Sequence, residues 1–199
     1  MSISATEHSK SMTTYLKEGI TIASRINNKG PLLLDENGKL HPKILKAYEK
    51  YGFYIFENVI DDRELQELRT DAQNMIERAP VEPGATVDKK GRPALGREYA
   101  REPYTFIKPL SDPWGGTELL NGRHPSKMSE PTPEEDAPDH VVHLMYGMCE
   151  AMPAALRVYG HPKLLAVAES INGENFVPYN DAIFVKQPGL GGSVSWHQD

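Results

Sequence analysis

The chain has 199 residues, of which 39% are hydrophobic and 25% are charged, values that are typical of a globular domain. Its net charge of −6 argues against a nucleic-acid-binding surface, which normally carries a clustered basic excess. The single cysteine, Cys149, rules out an intramolecular disulfide and a Cys-rich zinc site. Because the chain has no apolar run of membrane-spanning length and no secretory signal pattern, we expect a cytoplasmic protein without a membrane partner.

The N-terminal part of the chain predicts a leader followed by a helix and a strand. Residues 1–40 are polar and weakly patterned, and we interpret them as the leader, with a short helix near Thr13–Ser24. A helix is then predicted at 42–51, because Pro is favoured in a first helical turn and Gly after the last one. The aromatic and β-branched residues that follow at 53–57 predict a strand.

A second, longer helix is predicted at 61–79. Asp61 is a suitable N-cap, and Glu64 stands three residues later, as in a capping box. Apolar residues then recur at spacings of three and four until Pro80 stops the helix. Residues 41–80 are therefore predicted to form a helix–strand–helix segment.

The middle of the chain changes from loops to helices. Residues 81–139 are rich in Pro, Gly and charge, which predicts a long loop region with one short strand at 104–107. Trp114, which glycines follow, either lines a substrate pocket or fills space against a helix. Residues 140–175 are predicted to be helical, beginning with a helix at 140–152 and continuing through segments at 153–159 and 163–171.

The histidines of this middle region carry little sign of metal binding. His140 and His143 would lie one turn apart on the predicted helix, a spacing that can hold a metal. No carboxylate or cysteine pattern completes a zinc motif there, so we interpret both as ordinary helix residues. His124 and His161 belong to turn sequences, and we interpret them as structural.

The last stretch, 176–199, predicts two short strands at 182–187 and 194–199, joined by a Gly-rich turn. His197 and Asp199 are two residues apart on the second strand, so their side chains would share one face. An imidazole and a carboxylate, joined by a distant second histidine, form the facial triad that holds non-heme Fe(II). A structural alternative is a strand histidine that forms a salt bridge with the neighbouring aspartate.

The residues around this pair are similar to a known family. Lys186-Gln-Pro-Gly, the Gly-rich turn and Trp196-His-Gln-Asp199 together resemble the iron-binding region of the phytanoyl-CoA dioxygenase family. The resemblance implies an Fe(II)- and 2-oxoglutarate-dependent dioxygenase in which His197 and Asp199 are the first two iron ligands. It also implies that Asn180 and Lys186 contact 2-oxoglutarate, although Lys186 precedes Pro-Gly by one extra residue and hydrogen bonding at a strand end would explain both residues equally well. Trp196 would shield the metal from solvent.

The same resemblance implies a fold and two further site residues that are expected beyond residue 199. It implies a mixed α and β fold, in which N-terminal helices back the start of a double-stranded β-helix, a jelly-roll or cupin-like barrel. The third iron ligand and the Arg that binds 2-oxoglutarate are expected beyond residue 199, so the chain is interpreted as a single dioxygenase domain, 1–199, truncated in its barrel. The expected partners are a small-molecule substrate and dioxygen, while the substrate and the oligomeric state stay open. The alternative is an inactive remnant that binds a partner.

Overall fold

The computed structural model describes residues 4–26, 28–111 and 131–194 of the chain. These residues belong to two compact units, each treated separately below. The helical unit lies within residues 19–75 and 147–181, and the sheet unit lies within residues 1–18, 76–146 and 182–199. In the described part of the chain, no helix is both long enough and apolar enough to cross a membrane.

The described residues form helices and short strands in mixed order. The elements are α1 (Ala5–Ala23), β1 (Lys29–Pro31), α2 (Pro42–Tyr51), β2 (Ile55–Glu57), α3 (Asp62–Glu77), β3 (Tyr104–Ile107), β4 (Val141–Met145), α4 (Met148–Ala151), α5 (Pro153–Tyr159), α6 (Pro162–Asn172) and β5 (Ile183–Phe184).

Local capping chemistry defines the first predicted helices. His41 is the N-cap of α2, with its Nδ1 accepting a hydrogen bond from the Lys43 amide, and Gly52 ends the helix in the left-handed conformation at φ 78°. At the start of α3, the Glu64 amide donates to Asp61 Oδ1 and the Asp61 amide donates to Glu64 Oε2, each at 2.8 Å. This reciprocal pair is the capping box that the sequence predicts. The helices predicted at 42–51 and 61–79 are confirmed.

The predicted leader is more ordered than its sequence indicates. Helix α1 occupies Ala5–Ala23 and so begins before the short helix predicted near Thr13–Ser24. Strand β1, also within the leader, pairs in parallel with β2, with Lys29 opposite Ile55. The strand predicted at 53–57 is therefore present but shortened to Ile55–Glu57, because only this part lies alongside β1.

The sheet unit is built around three antiparallel strands in the order β3–β4–β5. All five residues of β4 are buried, and its last residue, Met145, is fully inaccessible to solvent. Thr105 of β3 pairs with Leu144, and Phe106 pairs with Val142, so the register skips His143. This extra residue on β4 is a β-bulge.

The helix predicted at 140–152 is wrong over its first half, because Val141–Met145 forms strand β4. A continuous apolar run bears no periodicity and suits either a buried helix or a buried strand. Here the strand forms because both of its edges find partners, β3 on one side and β5 on the other. Helix begins only after Gly147, at α4, and the later predictions near 153–159 and 163–171 are confirmed by α5 and α6.

The strand predicted at 182–187 is shorter than expected, since β5 comprises only Ile183 and Phe184. Ladder contact continues for one residue, with the Val185 amide donating to the His143 carbonyl at 2.8 Å, before Pro188 and a turn end the strand. The strand predicted at 194–199 falls almost entirely outside the described residues, as do Trp114 and His124. The described residues form a mixed helix-and-strand fold with small sheets and no closed barrel, which confirms the mixed class.

Candidate active site

A tight turn follows β5, where the sequence predicts it. The Gln187 carbonyl accepts hydrogen bonds from the amides of Leu190, at 3.1 Å, and Gly191, at 2.8 Å. Gly189 sits in the left-handed conformation at φ 73°, which glycine adopts at little cost. The turn is thus held by its own backbone, and it fixes the direction in which the chain continues after Lys186.

This turn is also tied to the segment that follows β3. The Leu110 amide donates to the Leu190 carbonyl, and the Ser193 amide donates to the Ser111 carbonyl, both at 2.9 Å. A Cβ atom at Gly192 would lie 2.2 Å from Ile107 Cδ1 and 2.7 Å from the Ser111 carbonyl oxygen. The two segments therefore pack so closely that only glycine fits at position 192.

Lys186 is positioned by the same turn. Its Nζ donates a hydrogen bond to the Gly192 carbonyl at 2.5 Å, which joins two residues six positions apart in the sequence. Partial burial lowers the pKa of Lys186 below its usual value. An ammonium group held next to an open turn can bind an anionic group such as a carboxylate.

A cavity of about 350 Å³ opens beside Lys186. One side of it is formed by Lys186 and the turn residues that follow. The other side comes from α1, through His8, Met12 and Tyr15. The sequence prediction misses this contribution because α1 lies in the segment predicted as a leader. The i, i+4, i+7 spacing of these three residues places them on one helix face and is the signal that indicates it.

His143 is the most unusual side chain near the sheet. It is only 3% exposed, its ring stands edge-on to the Phe184 ring at a centroid distance of 5.4 Å, and neither of its ring nitrogens has a hydrogen-bond partner in the described structure. Burial and, second to it, the positive charge of Lys186 lower the pKa of His143 below its usual value. The interpretation of His143 as an ordinary residue of a half-exposed helix is wrong.

The remaining histidines and Asn180 have simpler environments. His140 is exposed and precedes β4. It lies three positions before His143, and extended residues separated by an odd number of positions have side chains on opposite faces. His161 Nδ1 accepts from the Lys163 amide as the N-cap of α6, which confirms its structural role. Asn180 is exposed in the helical unit, where its Oδ1 accepts a hydrogen bond from the Asp181 amide at 3.0 Å.

The proposed iron ligands His197 and Asp199, and Trp196 beside them, lie outside the described residues. Among residues 4–26, 28–111 and 131–194, no group of three or more His, Cys, Asp or Glu side chains comes together in a way that could hold a metal. The assignment of His197 and Asp199 to a metal site therefore stays a prediction.

Comparison with known proteins gives one match. A family model described as phytanoyl-CoA dioxygenase (PhyH) matches residues 48–199, which is most of the chain and includes Lys186, the turn and the His-x-Asp pair. No curated protein and no solved structure matches the chain. The segment that the resemblance singled out thus lies within the matched region. The chain belongs to the phytanoyl-CoA dioxygenase family.

Proposed function

We propose that the protein is an Fe(II)- and 2-oxoglutarate-dependent dioxygenase that oxidises a C–H bond of a small organic or acyl substrate. Membership in the phytanoyl-CoA dioxygenase family is the observation that carries this proposal. Dioxygen and the organic substrate would be its small-molecule partners, and a cytoplasmic location stays a prediction.

His197 and Asp199 are the residues proposed to hold iron. A neutral imidazole and a carboxylate are the donor types of the facial triad, so the chemistry of these two residues fits Fe(II). Bound Fe(II) together with 2-oxoglutarate would supply the oxidising chemistry, while the protein holds and orients the reacting groups. Trp196, the residue before His197, is proposed to keep water away from the metal.

Lys186 is proposed to bind a carboxylate of 2-oxoglutarate, while a role of Asn180 near 2-oxoglutarate stays a prediction from the family resemblance. Three features support the role of Lys186: its ammonium is anchored at the Gly192 carbonyl, it lines the cavity, and it lies eleven residues before His197 in the sequence. A charge-assisted hydrogen bond from such a group is about twice as strong as a neutral one. We propose further that residues 176–199 begin the jelly-roll barrel, with the antiparallel order β3–β4–β5 supporting a β-rich core.

The function can be tested with protein produced from the complete reading frame that contains this chain. The assay supplies Fe(II), 2-oxoglutarate and oxygen and follows succinate formation. We expect slow succinate formation even without a known substrate, and we expect His197→Ala to abolish it because an iron ligand is lost. His140→Ala, which changes an exposed histidine that precedes β4, is the matched control and should keep the parent rate.

Two outcomes would contradict the proposal. If His197→Ala forms succinate at the parent rate, His197 does not hold the iron. If the parent protein forms none above a protein-free reaction, and neither Fe(II) nor 2-oxoglutarate binds in calorimetry under nitrogen, the dioxygenase assignment is wrong for this chain.

A further inference from the structure

His143 carries two polar atoms whose burial has no structural explanation. Both ring nitrogens are buried without a hydrogen-bond partner in the described part of the chain. Native proteins pair nearly all of their buried polar groups, and leaving one unpaired lowers stability. The other four residues of β4, Val141, Val142, Leu144 and Met145, are all apolar and buried, so a leucine would serve packing at position 143 at least as well.

The backbone at this position is also irregular. His143 is the extra residue of the β-bulge between β3 and β4, because Thr105 and Phe106 pair with Leu144 and Val142 on either side of it. Bulges re-aim a side chain and are over-represented next to active sites. The unpaired imidazole and the β-bulge are thus two independent indications that a ligand binds at this position.

The surrounding charge indicates what kind of ligand would bind. Lys186 directly follows Val185, whose amide donates to the His143 carbonyl at 2.8 Å, and the ring of Phe184, two residues before Lys186, stands against the His143 ring. The Lys186 ammonium keeps N–H groups beyond the one that it donates to Gly192. A nearby cation disfavours a metal ion, and His143 joins no metal-binding group of side chains within the described residues. A neutral imidazole N–H beside an ammonium is instead suited to an anion with two oxygen acceptors.

We propose that His143 and Lys186 together bind a carboxylate group of a small molecule. The imidazole donates one hydrogen bond, and the ammonium supplies the charge and a second one. Lys186 would keep its hydrogen bond to the Gly192 carbonyl and donate a further N–H to the carboxylate, and local movement of the turn would give the carboxylate access to the buried ring. This inference rests on the proposed function, since the carboxylate belongs either to 2-oxoglutarate or to a carboxylic acid that is the organic substrate.

The experiment compares carboxylate binding in matched variants of the Fe(II)-loaded protein under nitrogen. Calorimetric titrations use 2-oxoglutarate, glutarate and a monocarboxylate, octanoate, with four variants: His143→Leu, His143→Gln, Lys186→Met and the control His140→Leu. We expect His143→Leu to weaken carboxylate binding by about ten- to a hundredfold, the effect of losing one hydrogen bond to a charged group. His143→Gln keeps a donor and should recover most of the affinity, while His140→Leu should bind like the parent.

Two further readouts separate binding from folding. His143→Leu should melt no lower than the parent, because it removes two unpaired buried nitrogens. In the parent, the ¹⁵N resonances of the His143 ring should shift when a carboxylate that binds is added. If His143→Leu weakens the binding of 2-oxoglutarate and glutarate only, the site is that of the cosubstrate. If it weakens the binding of octanoate only, the site is that of an acidic substrate.

The outcomes distinguish this inference from the function on which it rests. If His143→Leu binds every carboxylate as tightly as the parent while His197→Ala still abolishes succinate formation, the His143 site is refuted and the proposed function stands. If the Fe(II)-loaded parent binds no carboxylate at all, the His143 site is refuted, and succinate formation then decides separately whether the proposed function stands.

Discussion

Replacing Gly192 with alanine should loosen the turn that positions Lys186. The new Cβ would lie 2.2 Å from Ile107 Cδ1 and 2.7 Å from the Ser111 carbonyl oxygen, distances at which atoms must move apart. Ile107 is buried, and the Ser111 carbonyl is held by the Ser193 amide at 2.9 Å, so neither neighbour yields freely. Because the φ of Gly192 is not in the left-handed region, the effect is steric and involves no backbone strain.

The expected loss of stability can be taken from substitutions that overpack the cores of other proteins. Inserting a methyl group into a close-packed site costs about 1–3 kcal/mol in the free energy of unfolding. For a protein of this size, each kcal/mol shifts the melting temperature by roughly 2–4 °C, so we expect a decrease of about 2–12 °C. Affinity for 2-oxoglutarate should fall as well, because the Gly192 carbonyl that anchors Lys186 moves with the turn.

Thermal melting followed by circular dichroism measures the first effect, and calorimetric titration measures the second. Gly19→Ala is the matched control, since it adds the same methyl group in α1 with no atom within 4 Å. It should raise stability by about 0.5–1 kcal/mol, as alanine favours a helix over glycine. If Gly192→Ala melts at the parent temperature and binds 2-oxoglutarate normally, the turn does not pack against Ile107 and the reasoning fails.

Two other predictions test the helix caps and the buried histidine. Asp61→Ala should lower the free energy of unfolding by about 0.5–2 kcal/mol through loss of the α3 cap, measured by urea denaturation, whereas Asp61→Ser should keep most of it. Because the pKa of folded His143 lies below the unfolded value of 6.5, the unfolded chain takes up its proton first as pH falls. The contribution of neutral His143 to the free energy of unfolding is therefore fully present above pH 6.5 and is lost as the pH falls below that value. His143→Leu should make the melting temperature depend less on pH between about pH 5 and 8. An unchanged pH dependence in this variant would contradict the prediction.

Local chemistry accounts for the part of the fold that the sequence predicts well. The α2 and α3 boundaries follow from residues that act within a few positions of themselves, such as Pro42, Gly52 and the Asp61–Glu64 pair. Capping and turn preferences depend on the backbone groups of the same turn, so tertiary packing has little chance to override them. The Gly-rich turn after β5 is predicted for the same reason.

Long-range pairing accounts for what the sequence does not predict. Val141–Met145 is equally consistent with a buried helix, and only its partners β3, far earlier in the chain, and β5, far later, make it a strand. The histidine inside this run was the overlooked signal, because a polar residue among buried apolar ones needs a partner. His197 and Asp199 could be proposed only from their resemblance to a family, since their spacing alone is common.

The cavity beside Lys186 is lined partly by residues that lie outside the region matched by the family model. Residues 48–199 match the family, yet His8, Met12 and Tyr15 of α1 line the cavity together with Lys186. Helix α1 is tied to the sheet unit at its start, where Ser4 bridges Thr132 and Thr6 Oγ1 donates to Glu134 at 3.3 Å. Its side chains therefore limit the size and polarity of whatever enters beside Lys186. Family membership accounts for the chemistry proposed here, whereas the shape of the cavity also depends on residues outside the matched region.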